Sequence, residues 1–367
     1  MTTLILGGGL SGLHTAYSLS RRGHDVFVLE GRDRLGGRIQ SSPVTGPARA
    51  GDVDLGPAWF WPGQRRMHGL IHELGLADDV VNQYARGDEL VERGPGQVLR
   101  GRFGVSMGGS YRLRGGMASL IRALAGTLQE SQVRLGRRAT RIARTEAGVA
   151  VTVQGPDGVE TYEGDQAVVA LPPRLAASTL ELDPALGPKR SAELAGQPTW
   201  MAGQGKCVAI YDEPFWRRDG LSGDAVSYIG PLGEIHDVTP NDDGPGALFG
   251  FYALPAMSRR AAGPRLEPAC VEQLVRLFGA AAETPRQILS RDWAFEDLTA
   301  VDADRSGPAT HALHGLRSPK EPAWGGRLLW SGAETAGVGE RNNGYLEGAL
   351  EASERTVEFI LGPASTS

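Results

Sequence analysis

The first thirty residues combine two short apolar runs with one helical repeat. Residues 4–6 and residues 26–29 are the apolar runs, and between them apolar side chains recur at helical spacing from Leu13 onward. Two arginines and a glycine at residues 21–23 are typical of a helix end with a basic last turn and a C-cap glycine. The order strand, helix, strand predicts a βαβ opening and therefore a parallel sheet.

Further along the chain, the hydrophobic pattern predicts helices separated by short strands. The predicted helices span residues 65–74, 117–128, 270–278 and 345–360. The predicted strands span residues 132–135, 140–144, 149–154, 159–162, 167–171 and 328–330. The middle of the chain, roughly residues 197–293, mixes strands with loops rich in proline and glycine.

Composition and charge exclude several classes of protein. The chain has 367 residues and a formal net charge of -5, which argues against a nucleic-acid binder. A cluster of arginines is interpreted as the solvated face of two strands and a turn: Arg134, Arg137, Arg138, Arg141 and Arg144. Two cysteines are too few for a disulfide scaffold or a cysteine-based metal site. Because neither a signal peptide nor a membrane-spanning apolar run is recognised, we expect a cytoplasmic protein that does not enter a membrane.

Histidines offer only a weak indication of a metal site. His68 and His72 have the i, i+4 spacing of helical metal ligands, but the H-E-x-x-H pattern is absent and no third ligand is evident. A solvated helix face is the favoured interpretation, and no metal is predicted. His311 and His314 lie in a loop of small residues, and no role is assigned to them.

A glycine-rich turn follows the first predicted strand. Gly7, Gly9 and Gly12 form a G-x-G-x-x-G pattern, and Glu30 ends the next strand. In a dinucleotide site the first glycine permits the turn, the second lets pyrophosphate approach, and the third lets helix and strand pack closely. The helix N-terminus then offers N–H groups to phosphate, while the acid accepts hydrogen bonds from ribose hydroxyls. The pattern predicts a bound dinucleotide, and Glu30 argues against NADP because it would repel a 2′-phosphate.

The segment after Glu30 favours FAD over NAD. Gly31 and Arg32 follow directly, and a second double glycine with an arginine occupies residues 36–38. NAD dehydrogenases do not need this segment. In an FAD protein it can approach the rest of the dinucleotide and the ribityl chain.

Together these motifs resemble the flavin-containing monoamine oxidase family. Beyond the opening fingerprint, matching segments occur in family order in the middle and near the end of the chain. They are residues 35–38, 54–59, 114–117, 164–172, 331–335 and 343–351. The resemblance covers about half of the chain, essentially its FAD-binding part, and the last two segments are the most specific.

The resemblance implies an α/β fold with a discontinuous Rossmann-type FAD-binding domain and an inserted α+β substrate domain. Carried onto this chain, the FAD-binding domain takes residues 1–66, 112–196 and 294–362. The substrate domain takes residues 67–111 and 197–293. These inserts are where the hydrophobic pattern is least regular.

The resemblance also implies which residues hold FAD. They are Gly7, Gly9, Leu10, Ser11, Gly12, Glu30, Gly31, Arg32, Gly36, Gly37, Arg38, Gly56, Pro57, Ala58, Trp59, Ala139, Glu334, Tyr345 and Leu346. Glu334 resembles an acid near the ribityl–phosphate region. The N–H groups of Tyr345 and Leu346, in the first turn of the last helix, are expected to face the N1–C2=O edge of the flavin. For Trp59, simple core packing remains an alternative.

Two residues are candidates for catalysis. Lys206 resembles a family lysine near flavin N5, often bridged by water, where a cation stabilises negative charge that develops on O2. The alternative is a lysine at a strand edge that reaches solvent. Tyr345 resembles a family tyrosine beside the flavin, where an aromatic ring can align an amine, and the alternative is a core aromatic.

The chain also departs from the animal members of the family. Those enzymes attach flavin through a cysteine that is followed by a second cage tyrosine, and residues 294–302 contain neither. We therefore expect non-covalent FAD and an incomplete pair of tyrosines. The membrane-anchoring tail of those enzymes is not found either.

Three functions are compatible with the sequence. The favoured one is an FAD-dependent amine oxidase, in which hydride passes from the α-carbon of a small neutral amine to flavin N5 and O2 reoxidises the flavin to give hydrogen peroxide. The alternatives are an FAD-dependent desaturase or dehydrogenase of a larger apolar metabolite, and a non-catalytic flavin-binding protein. Substrate identity and oligomeric state are not encoded in any readable motif.

Overall fold

A computed structural model of the chain describes residues 1–44, 51–242, 244–306, 320–337 and 342–362. The strands in these ranges are β1 Thr2–Leu6, β2 Asp25–Leu29, β3 Ser41–Val44, β4 Gly51–Asp54, β5 Val80–Asn82, β6 Asp88–Gly94, β7 Gln97–Gly101, β8 Tyr111–Leu113, β9 Val133–Arg134, β10 Arg138–Arg144, β11 Val149–Gly155, β12 Gly158–Gly164, β13 Gln166–Val169, β14 Glu181–Asp183, β15 Gly205–Tyr211, β16 Leu221–Ser227, β17 Leu232–Asp237, β18 Gly246–Tyr252, β19 Gln287–Asp292 and β20 Leu328–Trp330. The α-helices are α1 Leu10–Ser20, α2 Arg65–Glu73, α3 Ala118–Gly126, α4 Pro173–Thr179, α5 Pro188–Gly196, α6 Phe215–Arg218, α7 Ala256–Ala262, α8 Leu266–Phe278, α9 Asp302–Arg305 and α10 Leu346–Leu361.

A five-stranded parallel sheet forms the centre of the part of the fold that the sequence predicts to bind FAD. Its strand order is β20-β13-β1-β2-β9, with every neighbouring pair parallel. Helix α1 connects β1 to β2, as the opening pattern predicts. The predicted α/β class and the Rossmann-type parallel sheet are therefore confirmed.

Alternation along β1 explains how this sheet is covered on both faces. Ile5 packs with residues of α1 and α10, while Leu4 and Leu6 pack with residues of a second sheet. All three side chains are fully buried or nearly so. Burying each aliphatic side chain of this size contributes about 1.5–3 kcal/mol. The result is three layers: helices, the parallel sheet and the second sheet.

The second sheet has the order β12-β11-β10-β14 and contains the strands predicted at residues 140–144, 149–154 and 159–162. Strands β10, β11 and β12 pair antiparallel, as predicted. The strand predicted at residues 132–135 does not belong to this second sheet. It is β9, which pairs with β2 in the parallel sheet. Within the arginine cluster, Arg137 and Arg141 form ion pairs with Glu160 and Glu181 at 3.1 and 3.0 Å.

A seven-stranded sheet has the order β19-β15-β18-β17-β16-β6-β7. All of its strands come from residues 88–101 and 205–292, which lie within the two segments predicted as the substrate domain. Helix α8 packs on this sheet through Cys270, Leu274 and Leu277. The boundaries of the two domains stay a prediction.

Two helix ends differ from the sequence-based expectation. Helix α1 ends at Ser20, so the two arginines follow the helix rather than form its last turn, and Gly23 has a positive φ of 76° in the turn beyond. Helix α8 begins at Leu266, about one turn earlier than predicted, because Arg265 and a short 3₁₀ segment lead directly into it. Within the described ranges, no helix has both the length and the apolar character that crossing a membrane requires.

Candidate active site

A cavity of about 400 Å³ lies at the carboxyl edge of the parallel sheet. Residues that follow β1, β2 and β13 line one side of it, and residues of the seven-stranded sheet line the other. Parallel α/β sheets bind their ligands at this edge, because loops and helix N-termini meet there. The volume is in the range of natural ligand sites.

The turn after β1 is shaped to leave a helix N-terminus open to the cavity. Gly7 has a φ of +107°, and a Cβ on Gly12 would lie 2.0 Å from the Gly7 carbonyl oxygen. Gly12 therefore permits the close packing of helix and strand that the sequence predicts. Gly9 precedes α1 and no side chain caps the helix, while Leu10 and Ser11 line the cavity. The first-turn N–H groups are thus available to an anion.

Glu30 is fixed by backbone donors on both sides. The Gly8 N–H donates to Oε2 at 2.7 Å, and the Arg32 N–H donates to Oε1 at 2.9 Å. Glu30 is 3% exposed and lines the cavity together with Arg32. A carboxylate has acceptor sites left after two such bonds, so Glu30 can still accept from ribose hydroxyls.

The double-glycine segment at residues 36–38 lies directly on the glycine-rich turn that follows β1. The Gly36 N–H donates to the Gly8 carbonyl at 2.8 Å, and Gly36 also forms a parallel bridge with Gly9. Gly36 has a φ of +106°, and a Cβ there would lie 2.6 Å from the Ile39 carbonyl oxygen. Only glycine allows this approach.

Arg38 and Glu334 form a two-pronged ion pair beside the cavity. Arg38 donates to the two carboxylate oxygens at 2.5 and 3.0 Å and to the Trp200 carbonyl at 3.0 Å. Glu334 also accepts the Trp200 N–H at 3.0 Å. The acid is 1% exposed, so the pair holds Arg38 and Trp200 rigidly against each other.

Lys206 lies on an interior strand and is buried. Strand β15 pairs with β18 on one side and β19 on the other, and Lys206 is 5% exposed. Its ammonium donates to the Gly56 carbonyl and lies 4.9 and 5.0 Å from the ring centroids of Phe251 and Phe249. The alternative of a strand-edge lysine that reaches solvent is therefore wrong.

Burial shifts the pKa values of two groups of opposite charge, Lys206 and Asp54. Loss of hydration lowers the pKa of Lys206 to about 7, against a smaller opposing effect of Asp54. Burial likewise raises the pKa of Asp54 to about 6, although hydrogen bonds from Ser41 and the Met117 N–H favour its ionised form. Perturbed values of this kind concentrate at functional sites.

Three aromatic rings meet at the start of α10. Tyr345 packs on Trp200 with ring centroids 4.9 Å apart and on Trp61 at 6.5 Å, and all three line the cavity. Burial raises the pKa of Tyr345, so its phenol stays protonated at neutral pH. The cavity thus has aromatic neighbours for Tyr345 although the second family tyrosine is absent.

One expectation about Tyr345 is wrong. It precedes α10 as the N-cap rather than lying in the first turn, and its N–H donates to the Asn342 carbonyl at 3.0 Å. Of the two N–H groups expected to face a flavin, only that of Leu346 belongs to the helix, and Leu346 does line the cavity. The helix start has no side-chain cap, which leaves first-turn N–H groups for a ligand.

Trp59 serves both the core and the cavity. Its indole N–H donates to Gln83 at 2.8 Å, and its ring packs edge-on against Phe249 at 5.3 Å. It also lines the cavity, together with Gly56, Pro57 and Ala58. The two interpretations of Trp59 are therefore not exclusive.

Four of the predicted FAD-binding residues do not line the cavity. They are Gly12, Gly31, Ala139 and Glu334. Gly12 acts through helix packing and Glu334 through Arg38, as described above. A Cβ on Gly31 would meet Leu298 at 3.2 Å, and Ala139 packs instead in the core between the parallel sheet and the second sheet.

Several cavity residues have no counterpart in the sequence-based prediction. They are Ile39, Trp61, Gln64, Met107, Ala170, Leu171, Pro172, Met201, Trp200, Glu234, Phe251, Trp293, Leu298, Thr299, Ala333, Gly344 and Ala349. Residues 170–172 could have been found, because they lie at the carboxyl end of a predicted strand, at the same sheet edge. For residues of the seven-stranded sheet no such signal exists.

Neither His68 nor His72 lines the cavity. His68 contacts the Trp61 carbonyl at 3.2 Å through Nε2, and His72 is exposed. His311 and His314 lie outside the described residues. In the part of the chain that the structure describes, no three His, Cys, Asp or Glu side chains are grouped so as to hold a metal ion.

The residues present fit a dinucleotide with a large planar ring. Two uncapped helix starts open on the cavity, and a Cβ on Gly9 would have no neighbouring atom closer than 4.0 Å, which leaves space for a ligand there. Glu30, Lys206 and the three aromatic rings line the same cavity. An anion, a ribose and an aromatic ring system each find suitable partners here.

Comparison with protein families gives a match along most of the chain. The profile of the family described as flavin containing amine oxidoreductase matches residues 10–103 and 92–361. AofH of Mycobacterium tuberculosis, which is named as a flavin-containing monoamine oxidase, is 27% identical over 455 aligned positions, with 97% of this chain and 96% of that protein covered. Amine oxidase B of Sus scrofa is 24% identical, with 98% of this chain and 85% of that protein covered.

Solved structures share the fold. Putrescine oxidase in complex with putrescine superposes with a TM-score of 0.80 at 22% identity, covering 98% of this chain and 99% of that one. Cyclohexylamine oxidase from Brevibacterium oxydans superposes with a TM-score of 0.78 at 20% identity, covering 97% of both chains. At these identities the likeness establishes the architecture.

Proposed function

The chain belongs to the flavin-containing amine oxidoreductase family, and from that premise we propose that it is an FAD-dependent amine oxidase that uses O2 as electron acceptor. The cofactor of the family is FAD. The substrate in this proposal is a small amine that is oxidised at its α-carbon to an imine, with hydrogen peroxide as the second product. A cytoplasmic location stays a prediction from the sequence.

Residues around the carboxyl edge of the parallel sheet would hold FAD. The uncapped start of α1 would bind the pyrophosphate, and Glu30 would accept from ribose hydroxyls. Arg38, which Glu334 orients, and the segment at Gly36 would lie beside the ribityl chain of FAD, on the side that leads to the flavin ring. When bound, FAD supplies the acceptor for the hydride and passes the electrons on to O2.

The observation that carries the proposal is the single cavity that joins this dinucleotide cradle to Lys206 and Tyr345. The Lys206 ammonium lies in apolar surroundings, where it can stabilise negative charge that develops on O2. Tyr345, flanked by Trp61 and Trp200, presents an aromatic surface that can align an uncharged amine.

The aromatic surface also helps to decide between an amine oxidase and the two alternative functions. Absence of a second aromatic side chain next to Tyr345 would favour a desaturase of a larger apolar metabolite. Trp200 packs on Tyr345 at 4.9 Å, so that argument loses its basis. No specific feature favours a non-catalytic flavin-binding protein.

The division of the chain into domains belongs to the same proposal. The FAD-binding domain takes residues 1–66, 112–196 and 294–362, and the substrate domain takes residues 67–111 and 197–293. The three sheets support this assignment, because no strand of the seven-stranded sheet comes from the FAD-binding segments that the structure describes.

The test is a coupled peroxide assay across primary, secondary and cyclic amines with the FAD-loaded protein. We expect stoichiometric hydrogen peroxide with at least one class of amine, and anaerobic loss of the flavin absorbance with the same amine. A yellow protein whose absorbance no amine bleaches without oxygen would contradict the proposal.

A further inference from the structure

A second cavity, of about 500 Å³, lies between α1, α2 and α10. Side chains of these helices and of the two arginines that follow α1 line it. Among the described residues, none lines both this second cavity and the cavity at the parallel sheet. Its volume is in the range of natural ligand sites. Helix α1 therefore presents its first turn to one cavity and its later turns to the other.

His14 is the buried polar side chain in the wall of the second cavity. It is 9% exposed, and its Nδ1 atom lies 2.9 Å from Oγ of Ser353. In the described ranges, the other ring nitrogen, Nε2, has no hydrogen-bond partner. Nor is Nε2 one of the unpartnered polar atoms that the protein encloses, so it is open to the cavity that His14 lines.

A chain of hydroxyl groups fixes which nitrogen of His14 carries the proton. Thr15 donates its Oγ1 proton to the Ser11 carbonyl at 2.8 Å. Ser353 Oγ lies 2.8 Å from Thr15 Oγ1 and is the donor of that bond, because the Thr15 proton is already used. Ser353 then has no proton left and accepts from Nδ1–H of His14. The Nε2 atom is consequently an acceptor without a proton of its own.

Burial keeps this acceptor available at neutral pH. Loss of hydration lowers the pKa of His14 to about 4, against an opposing effect of Glu73 and with a smaller contribution from Arg22. The imidazole is therefore uncharged, and its lone pair can be met by a hydrogen-bond donor or by a metal ion. No three His, Cys, Asp or Glu side chains in the described part of the chain are grouped so as to hold a metal ion. These observations favour a ligand with an N–H donor, such as an ammonium group.

The charged groups of the second cavity leave one side chain of each sign without an ion pair. The other three are engaged, Arg21 with Glu73 and Glu354 with Arg66, which lies outside the lining. Among the described residues, Arg22 and Glu358 form no ion pair. A ligand with one charge of each sign therefore complements this cavity better than a simple cation or anion does.

We propose that the second cavity binds a small amino acid in its zwitterionic form. The ammonium group donates to Nε2 of His14 and is balanced by Glu358, while the carboxylate accepts from the guanidinium of Arg22. Arg22 also donates to the Ser18 carbonyl at 2.9 Å, so its guanidinium reaches back along α1. Because Ser18 lies one turn after His14, the two anchors are about 5.4 Å apart along the helix. A β- or γ-amino acid spans this distance, and the site does not depend on the proposed oxidase activity.

The first experiment compares three molecules of nearly the same shape. The zwitterion is 3-amino-3-methylbutanoate, 1,1-dimethylpropylammonium keeps only its positive charge, and 3,3-dimethylbutanoate keeps only its negative charge. The carbon next to the nitrogen of the zwitterion has no hydrogen, so the proposed oxidase cannot oxidise it. Methyl NMR spectra of the FAD-loaded protein report binding through Val357, which lines the second cavity.

The zwitterion should move the Val357 signal and bind at least about tenfold more tightly than either singly charged compound, since it makes one more charge-assisted hydrogen bond. Flavin absorbance monitors binding in the cavity at the parallel sheet separately. Equally tight binding of a singly charged compound would overturn the ligand class. A Val357 signal that none of the three molecules moves would overturn the site.

Two variants test the anchors by the same measurement. His14→Asn keeps a donor near the Nδ1 position for Ser353 but removes the Nε2 acceptor, so Kd for the zwitterion should rise about 10- to 100-fold with normal flavin content. Arg22→Gln should weaken the zwitterion about two- to fivefold and leave 1,1-dimethylpropylammonium unchanged, because an exposed charge contributes less. Arg102→Gln, at an exposed position outside the lining, is the matched control and should change neither.

The protonation of His14 can be checked directly by NMR of protein with ¹⁵N-labelled histidine. The signal that disappears in His14→Asn should show a proton on Nδ1 and none on Nε2 from about pH 8 down to about pH 5, and the zwitterion should shift the Nε2 resonance. A proton on Nε2 at neutral pH would remove the acceptor and overturn the proposal. Because Arg22 is exposed, Arg22→Gln still decides the matter if His14→Asn does not fold: an unchanged Kd for the zwitterion would contradict the site.

Discussion

Lys206 and Asp54 are opposite charges in shared apolar surroundings. Each is almost fully buried, and burial moves the pKa of each toward neutrality, to about 7 for Lys206 and about 6 for Asp54. The segment that contains Asp54 also provides the Gly56 carbonyl that accepts from the Lys206 ammonium. Whether the lysine is charged at physiological pH is therefore decided by this pair and its burial.

The protonation of Lys206 predicts a pH dependence for the reaction with O2. Only the ammonium form can stabilise negative charge on oxygen, so the rate constant for reoxidation is expected to be high below pH 7 and to fall as pH rises through about 7. Lys206→Met should lower the rate about 100-fold at low pH and abolish the pH dependence. The measurement is stopped-flow reoxidation of chemically reduced protein.

The chain offers a matched control for this prediction. Lys189 is exposed and is not part of the cavity lining, so Lys189→Met should leave both the rate and the profile unchanged. A Lys206→Met protein that is reoxidised at the wild-type rate would contradict the assigned role. Because the assay starts from reduced protein, it does not depend on the identity of the substrate.

The N-terminus of α10 is the element on which several parts of the site converge. Tyr345 caps it, Leu346 begins it, and Gly344 precedes both with a φ of +82°. A Cβ on Gly344 would lie 2.1 Å from the Cβ of Trp200. Because that atom is fixed to the Trp200 backbone, no side-chain rotation can relieve the contact.

We predict that Gly344→Ala displaces Trp200 or the start of α10 and weakens FAD binding. The overpacking should lower the free energy of unfolding by about 1–3 kcal/mol. Flavin content after purification and chemical denaturation of the loaded protein measure the two effects. Trp200→Ala in the same chain should not recover the lost stability, because alanine keeps the Cβ that the new methyl group would meet.

Gly362 provides the control at the other end of the same helix. It also has a positive φ, 73°, but a Cβ on Gly362 would meet nothing within 4 Å. Gly362→Ala should therefore cost only the backbone strain, about 1 kcal/mol, with normal flavin content. Equal losses of flavin in the two variants would show that the contact with Trp200 is irrelevant.

At the scale of the whole molecule, one cavity is shared by two sheets. The phosphate turn follows a strand of the parallel sheet, and Lys206, Glu234 and Phe251 belong to the seven-stranded sheet. A ligand that contacts residues of both sheets stabilises each of them and the contact between them. A ligand confined to the glycine-rich turn after β1 does not stabilise that contact. Binding to the native state raises stability by mass action.

This geometry predicts different stabilisation by FAD and by ADP. At a concentration about 1,000 times Kd, FAD should stabilise the protein by about 4 kcal/mol, which corresponds to a rise in Tm of about 5 °C for a chain of this size. ADP at the same multiple of its own Kd should stabilise the protein by the same amount through mass action. Because ADP does not connect the parallel sheet to the seven-stranded sheet, the ADP-bound protein should unfold in two transitions. Thermal unfolding followed by calorimetry gives both quantities, and a single shared transition with ADP would contradict the bridging role.

Much of the nucleotide-binding half follows from the sequence itself. The apolar runs, the glycine turn and Glu30 lie within thirty contiguous residues, so strand, helix and their spacing are encoded locally. The same is true of the double-glycine segment and of the signatures near the end of the chain. Local encoding explains why the α/β class, the parallel sheet and the FAD-binding family can be predicted from the sequence.

Other features depend on residues that are far apart in the chain. Arg38 meets Glu334 and Trp200, and Glu234 meets Lys206 across Phe251, only because sheet register and helix packing bring them together. The second aromatic neighbour of Tyr345 comes from a segment without any motif, and the N–H of Tyr345 is used within its own loop. The sequence alone thus determined the cofactor and the fold through local patterns, while the tertiary structure alone decided the wall that faces the substrate, because register between distant strands leaves no trace in any contiguous stretch.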